Sequence, residues 1–171
     1  MYIHASVKKI KNIYNVKQTN KIFKPLGLWY SLNNEWINYV HENNMDKTYK
    51  FFYEIKVTYT KINNPDKNKV LLIKSNKDFQ LLMKKYFRIN EYSNGYISID
   101  CNWENVEKDF AGIEIINLKK LKLSNKTIQY IEKKYKNSLI NEYLLWTQTL
   151  DIDSGVVWNI SALKYIKLIK L

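Results

Sequence analysis

Arginine is nearly missing from this chain: Arg88 is the only one, so almost all of the 28 basic residues are lysine. Arg–guanine pairs dominate base reading in a DNA groove, and their absence argues against that mode. A lone cysteine, Cys101, excludes an internal disulfide, and with only two histidines the chain has too few ligands for a structural zinc site. No apolar run approaches the roughly 20 residues that span a bilayer, so no membrane is expected. The opening residues, MYIHASVKKIKNIY, show no long apolar segment and no small-residue cleavage site. The expectation is a cytoplasmic protein without a signal peptide. Prolines number two and glycines four. With glycine this scarce, Gly27, Gly95, Gly112 and Gly155 each mark a special backbone position.

What the chain has in abundance is lysine, asparagine, isoleucine and tyrosine. Its 171 residues carry a net charge of +12, with 46% hydrophobic and 15% aromatic content. That is enough apolar material for one folded domain, assigned to residues 1–171. This composition is also what an AT-rich genome produces, so part of the charge reflects codons. Its physical consequence stands regardless: anions and nucleic acids are attracted over long range.

Periodicity predicts more strands than helices. Tyr2–Val7 reads as a strand and Lys8–Tyr14 as one or two helical turns. Lys24-Pro25-Leu26-Gly27 is a turn. It feeds the strand Leu28–Ser31, and Asn33 or Asn34 caps a helix on which Trp36 and Tyr39 share a face. Phe51–Thr60 alternates as a half-buried strand. Val70–Ile73 is a short strand, and Ser75 or Asn76 caps a helix burying Phe79, Leu82, Met83 and Tyr86. Beyond the Asn94-Gly95 turn come a strand over Tyr96–Asp100, a helix over Trp103–Phe110, a strand over Gly112–Leu118 and a helix over Ser124–Leu139. Strands over Glu142–Leu150 and Gly155–Ile160 flank a turn, and the tail 162–171 has no clear pattern. The elements do not alternate regularly, which predicts α+β architecture with a mostly antiparallel sheet.

Three stretches in order carry the chemistry: His4-Ala5-Ser6 on the first strand, Gly27-Leu28-Trp29-Tyr30-Ser31 with the aromatic helix after it, and Gly112-Ile113-Glu114-Ile115. This order resembles the ADP-ribosyltransferase superfamily, in the histidine–aromatic–glutamate branch of diphtheria toxin and the poly-ADP-ribose polymerases. Alanine stands where that branch has glycine after the histidine, and Trp29 stands for its tyrosine. The frame KP-GLW-S, DFAGIEI and DIDSGVVW is also similar to a family of phage and viral proteins, for which the compartment would be host-cell cytoplasm.

The resemblance implies a split, mostly antiparallel sheet and a transferase that uses NAD as substrate, with no metal. Glu114 and His4 would be catalytic. His4, Ala5, Ser6, Gly27, Trp29, Tyr30, Ser31, Trp36 and Tyr39 would bind NAD. The chemistry suits these residues. Stacked aromatics hold a flat cationic nicotinamide, an imidazole hydrogen-bonds a ribose hydroxyl, and a fixed carboxylate stabilises positive charge on the ribose as its glycosidic bond breaks. Gly112 stands two residues before Glu114, where the arginine-modifying branch has Glu or Gln, so arginine is not the favoured acceptor. A nucleic acid is slightly favoured over a protein. The alternative is a non-catalytic basic module that stacks bases on Trp29, Trp36 and Tyr39, or an interaction protein on the same fold. Blander roles compete at each position: tryptophans as core, Glu114 as a surface strand residue, Asp151 and Asp153 as turn-capping groups rather than metal ligands, Cys101 as inert, His41 as a helix-end residue.

Overall fold

The computed structural model describes residues 1–91, 96–117, 120–135, 139–143, 147, 150 and 152–169. The chain is α+β. Its strands are β1 (Tyr2–Ser6), β2 (Leu28–Leu32), β3 (Phe51–Val57), β4 (Tyr59–Thr60), β5 (Asp66–Ile73), β6 (Phe87–Glu91), β7 (Tyr96–Cys101), β8 (Phe110–Ile115), β9 (Leu139–Tyr143), β10 (Ser154–Val157) and β11 (Leu163–Ile169). Its helices among the described residues include α1 (Glu35–Glu42), α2 (Asn76–Tyr86), α3 (Trp103–Asp109) and α4 (Asn125–Lys134). Among the described residues no helix is long and apolar enough to cross a membrane.

Eight strands form one sheet in the order β11-β3-β1-β2-β10-β8-β5-β4, antiparallel except for the β8-β5-β4 pairs. β3 and β4 are successive parts of one run of chain. Thr58 joins them and its carbonyl accepts the Val70 amide at 2.9 Å. The same run therefore pairs with β1 at one end of the sheet and with β5 at the other, so the sheet curls until its ends are bridged. The inner face encloses Tyr30, Ile55, Val57, Val70 and Val157, with Tyr2 and Tyr59 against them. The outer face carries the helices. Ile3, Ala5 and Phe52 lie under Val40 and Trp36 of α1. Leu71, Ile73, Ile113 and Val156 lie under α2, α3 and the smaller β6-β7-β9 sheet.

Local sequence explains most of these elements. Ser75 and Asp78 form a reciprocal capping box on α2, whose buried residues are Phe79, Leu82, Met83 and Tyr86. Asn102 caps α3 and Ser124 caps α4 through their side chains. α1 differs: Asn34 makes no side-chain cap, and the Trp36 amide instead donates to Ser31 Oγ at 2.9 Å, one turn back in β2.

Several expectations are corrected. The stretch Lys8–Tyr14 is not helical. It has no cap, a helix of one or two turns has little stability of its own, and long-range bonds hold the chain extended: Ile10 N donates to Tyr53 Oη at 2.8 Å, and Val16 N to the Trp158 carbonyl at 2.8 Å. α4 ends at Lys134 rather than Leu139, and residues from Leu139 belong to β9. Phe51–Thr60 does not keep one buried side, since Phe52 and Tyr53 are both buried, one under α1 and one inside the curl. Within the tail, Leu163–Ile169 form strand β11. The Asn94-Gly95 turn, Trp146 and Asp151 lie outside the described residues.

Candidate functional site

The turn Lys24–Gly27 is clamped from upstream. Gln18, almost wholly buried, accepts from Leu26 N and donates to Leu26 O, both at 2.9 Å. Gly27 then adopts φ +144, and a β-carbon there would lie 2.3 Å from the Val157 carbonyl. Only glycine fits this close approach, and it delivers the chain into β2 beside β10. From that start, alternation along β2 sends Trp29 and Ser31 to the outer face and Tyr30 to the inner one. The register confirms the partition: Trp29 lies opposite Val156 and Ser31 opposite Ser154, while Tyr30 lies opposite Gly155, which in turn faces Glu114 on β8.

The outer face holds the aromatic slot. Trp29 from β2 and Trp36 and Tyr39 from α1 line a pocket of about 180 Å³ with Lys24, Leu150, Ile152 and Ser154. The Trp36 and Tyr39 rings meet edge to face, 5.6 Å between centroids, and Lys24 Nζ stands 4.6 Å from the centre of the Trp29 ring. The volume is below the roughly 300–1,000 Å³ of pockets that enclose a drug-sized ligand. It suits one flat ring, with the rest of a larger ligand outside.

Two acidic residues are chain neighbours of this lining. Asp153 lies between Ile152 and Ser154, and its Oδ2 accepts the Asn117 amide at 2.8 Å. Glu35 precedes Trp36, and its Oε2 is shielded from solvent with no hydrogen-bond partner. Burial and the Asp153 charge hold the Glu35 carboxyl above the usual carboxylate range. Neither Lys24 nor Glu35 carries a motif of its own. The signals available were the position of Lys24 at the head of the turn and of Glu35 one residue before the helix aromatic.

His4 is half-buried on β1, on the inner face, where it pairs with Tyr53. Its Nδ1 lies 2.6 Å from the Trp29 carbonyl. A carbonyl only accepts, so Nδ1 carries the proton and Nε2 the lone pair. Burial lowers the imidazole pKa, opposed in part by that carbonyl, so the neutral ring is favoured. His4 thereby fixes the backbone of the slot residue without entering the slot.

Glu114 is elsewhere. Its carboxylate points into the curl, fully buried, and Oε2 accepts from Tyr30 Oη at 2.8 Å and Tyr59 Oη at 2.5 Å. Oε1 is buried with no hydrogen-bond partner. Burial raises the Glu114 pKa, and the two tyrosine hydroxyls only partly offset this. Burial likewise pushes the Tyr30 and Tyr59 hydroxyls far above the usual phenol range, with the Glu114 charge adding to it. The Tyr2 ring meets Tyr30 edge-on at 5.5 Å. Gly155 makes this arrangement possible: a β-carbon there would fall 2.2 Å from Tyr30 Cζ. Tyr30 reaches the acid two strands away across the side chain that Gly155 lacks.

The structure thus divides the expected site between the two faces of one sheet. It brings together Trp29, Trp36 and Tyr39. It places Glu114, Tyr30 and His4 on the reverse side. Ser31 is fully buried and positions α1, Ala5 is buried under α1, Ser6 Oγ donates to the Lys8 carbonyl at 2.7 Å, and Gly27 shapes the turn. Asp151 is outside the described residues, so its pairing with Asp153 is not placed. Cys101 is buried in β7, where burial and Asp100 push its thiol pKa up, the opposite of a nucleophile's need. His41 Nδ1 contacts Asp46 at the end of α1. Comparisons with protein-family models, curated proteins and solved structures find no match for this chain.

Proposed function

We propose that the protein is an NAD-dependent ADP-ribosyltransferase whose nicotinamide site is the slot of Trp29, Trp36 and Tyr39. The observation that carries this reading is the convergence of these three rings from β2 and α1 into one ring-sized pocket. The order of a histidine strand, a neighbouring aromatic strand and an aromatic helix supports a transferase-like split sheet as the finer description of the fold. Nicotinamide stacks in the slot by dispersion and cation–π contacts, and Lys24, already over Trp29, meets the diphosphate outside.

In the reaction the bond between nicotinamide nitrogen and ribose C1′ breaks, and its electron pair leaves with neutral nicotinamide. Positive charge builds on the ribose until an acceptor's lone pair attacks C1′. That charge is stabilised by the carboxylates of Asp153 and Glu35, which precede the lining residues Ser154 and Trp36 in the chain and whose charges act on each other. Glu114, behind the sheet, maintains the strands that carry the slot. A nucleic-acid acceptor fits the basic chain better than a protein one.

Release of nicotinamide from NAD by the purified protein, with and without nucleic acid, tests this reading. Trp29→Ala and Trp36→Ala are expected to abolish release, and Asp153→Asn or Glu35→Gln to reduce it about 100-fold or more, the scale of losing one electrostatic contact to the transition state. Glu114→Gln is expected to retain turnover in whatever fraction stays folded. The seclusion of Glu114 favours one rival, a module that stacks bases in the same slot without chemistry. Base binding that is lost in Trp29→Ala and Trp36→Ala, with no NAD turnover under any condition, establishes that rival and ends the transferase reading.

A further inference from the structure

A second feature lies apart from the slot and shares no residue with it. α2 buries Phe79, Leu82, Met83 and Tyr86 on one side. Its other side presents Lys77 and Lys84, and Phe87 follows directly after its end. α4 presents Lys126 and Tyr130. These residues line one groove of about 540 Å³, and no carboxylate contributes to its lining. Both rings remain open to solvent, Phe87 at 36% and Tyr130 at 53% exposure. Tyr130 also has Lys134 Nζ 5.9 Å from its centre. α4 has no acidic residue in its first turn to occupy the positive end of its dipole.

Three lysines around two exposed rings, with no acid among them, form a surface for a ligand that is both polyanionic and aromatic. We propose that the groove between α2 and α4 binds single-stranded nucleic acid, with phosphates on Lys77, Lys84 and Lys126 and unstacked bases on Phe87 and Tyr130. Base stacking on aromatic platforms is sequence-tolerant and requires single strands. Lysine meets phosphate as a point charge, without the fork of arginine that reads guanine. Little sequence preference is therefore expected. The proposal stands without the transferase reading.

The test is fluorescence anisotropy of a labelled 12-nucleotide DNA or RNA against the full-length protein, titrated with salt. The wild type is expected to bind with a salt slope that includes about −2 from the three lysines, at about 0.7 per phosphate neutralised on a single strand. Replacing Lys77, Lys84 and Lys126 together by Glu removes that share and weakens binding at least tenfold. Phe87→Leu with Tyr130→Leu keeps the groove apolar and its charge intact, and weakens binding roughly tenfold through lost stacking. The control is Lys8, Lys9 and Lys11, exposed lysines outside the groove, replaced by Glu together. Equal loss in that control, or wild-type affinity in both groove variants, overturns the proposal. So does displacement of the oligonucleotide by polyglutamate at equal charge concentration, which marks an acidic protein partner instead. NAD turnover measured on the same variants reports separately on the slot.

Discussion

Gly155→Ala tests the arrangement inside the curl more sharply than any change at a larger residue. The new β-carbon would lie 2.2 Å from Cζ, 2.4 Å from Oη and 2.6 Å from Cε2 of Tyr30. That ring is fully buried, so it has no free space to enter. Forcing a methyl group into a packed core costs about 1–3 kcal/mol. Moving the ring also breaks its hydrogen bond to the buried Glu114, a loss of about 1.5–3 kcal/mol for a bond to a charged group. The sum is about 2.5–6 kcal/mol. For a domain of this size each kcal/mol shifts the melting temperature by roughly 2–4 °C, so a fall of about 5–24 °C is expected by circular dichroism or calorimetry. Tyr30→Phe already lacks the hydroxyl, so adding Gly155→Ala to it should cost less than the two changes sum to. A melting temperature for Gly155→Ala within about 1 °C of wild type would refute the argument, because a β-carbon at that distance then has no consequence.

The pH dependence of stability carries a second signature. The Glu114 carboxyl has a raised pKa in the folded state, so folded protein holds its proton to higher pH than unfolded protein does. Its stabilising contribution is complete below about pH 4.3, the ordinary glutamate value, and is lost as pH rises through the raised pKa. Asp66 and Asp109, whose pKa values are lowered by Lys69 and by Lys85 with Tyr86, act in the opposite sense and lose stability as pH falls. The stability difference between wild type and Glu114→Gln isolates the glutamate, and it should shrink as pH rises above 4.3; a difference flat in pH removes the buried acid from the account. Ser75→Ala opens the capping box of α2 and should lower stability by about 1 kcal/mol, visible in denaturant unfolding. Trp36→Ala should abolish NAD binding measured by calorimetry while Tyr14→Ala, at an exposed ring, leaves it unchanged.

The sequence made the local rules legible. The Ser75 or Asn76 cap located the start of α2 to within a residue and the spacing of Phe79, Leu82, Met83 and Tyr86 gave its buried face, and Trp29, Trp36 and Tyr39 were found as a cluster because a strand feeding a helix brings such positions together. What it did not reveal depends on partners far away in the chain. Glu114 alternates correctly away from Ile113 and Ile115, but alternation leaves open whether the second face meets water. The bridging of the sheet's ends by Phe51–Thr60 decides that, and it is a property of strand order. β6 has a polar, mixed sequence and exists because it pairs with β7. Trp158 had no apparent role; it is core, with its indole donating to the Phe110 carbonyl at 2.7 Å.

The placement of β10 has a consequence for how the chain is made. This strand, encoded late, is wedged between β2 and β8, which are finished long before it emerges from the ribosome. Until then both neighbours present open backbone edges, the kind that recruit other chains, and neither Tyr30 nor Glu114 has a completed wall behind it. Nascent protein should therefore remain unfinished and chaperone-dependent until Val157 has cleared the exit tunnel. Folding would then complete in a single late step rather than grow from the N-terminus.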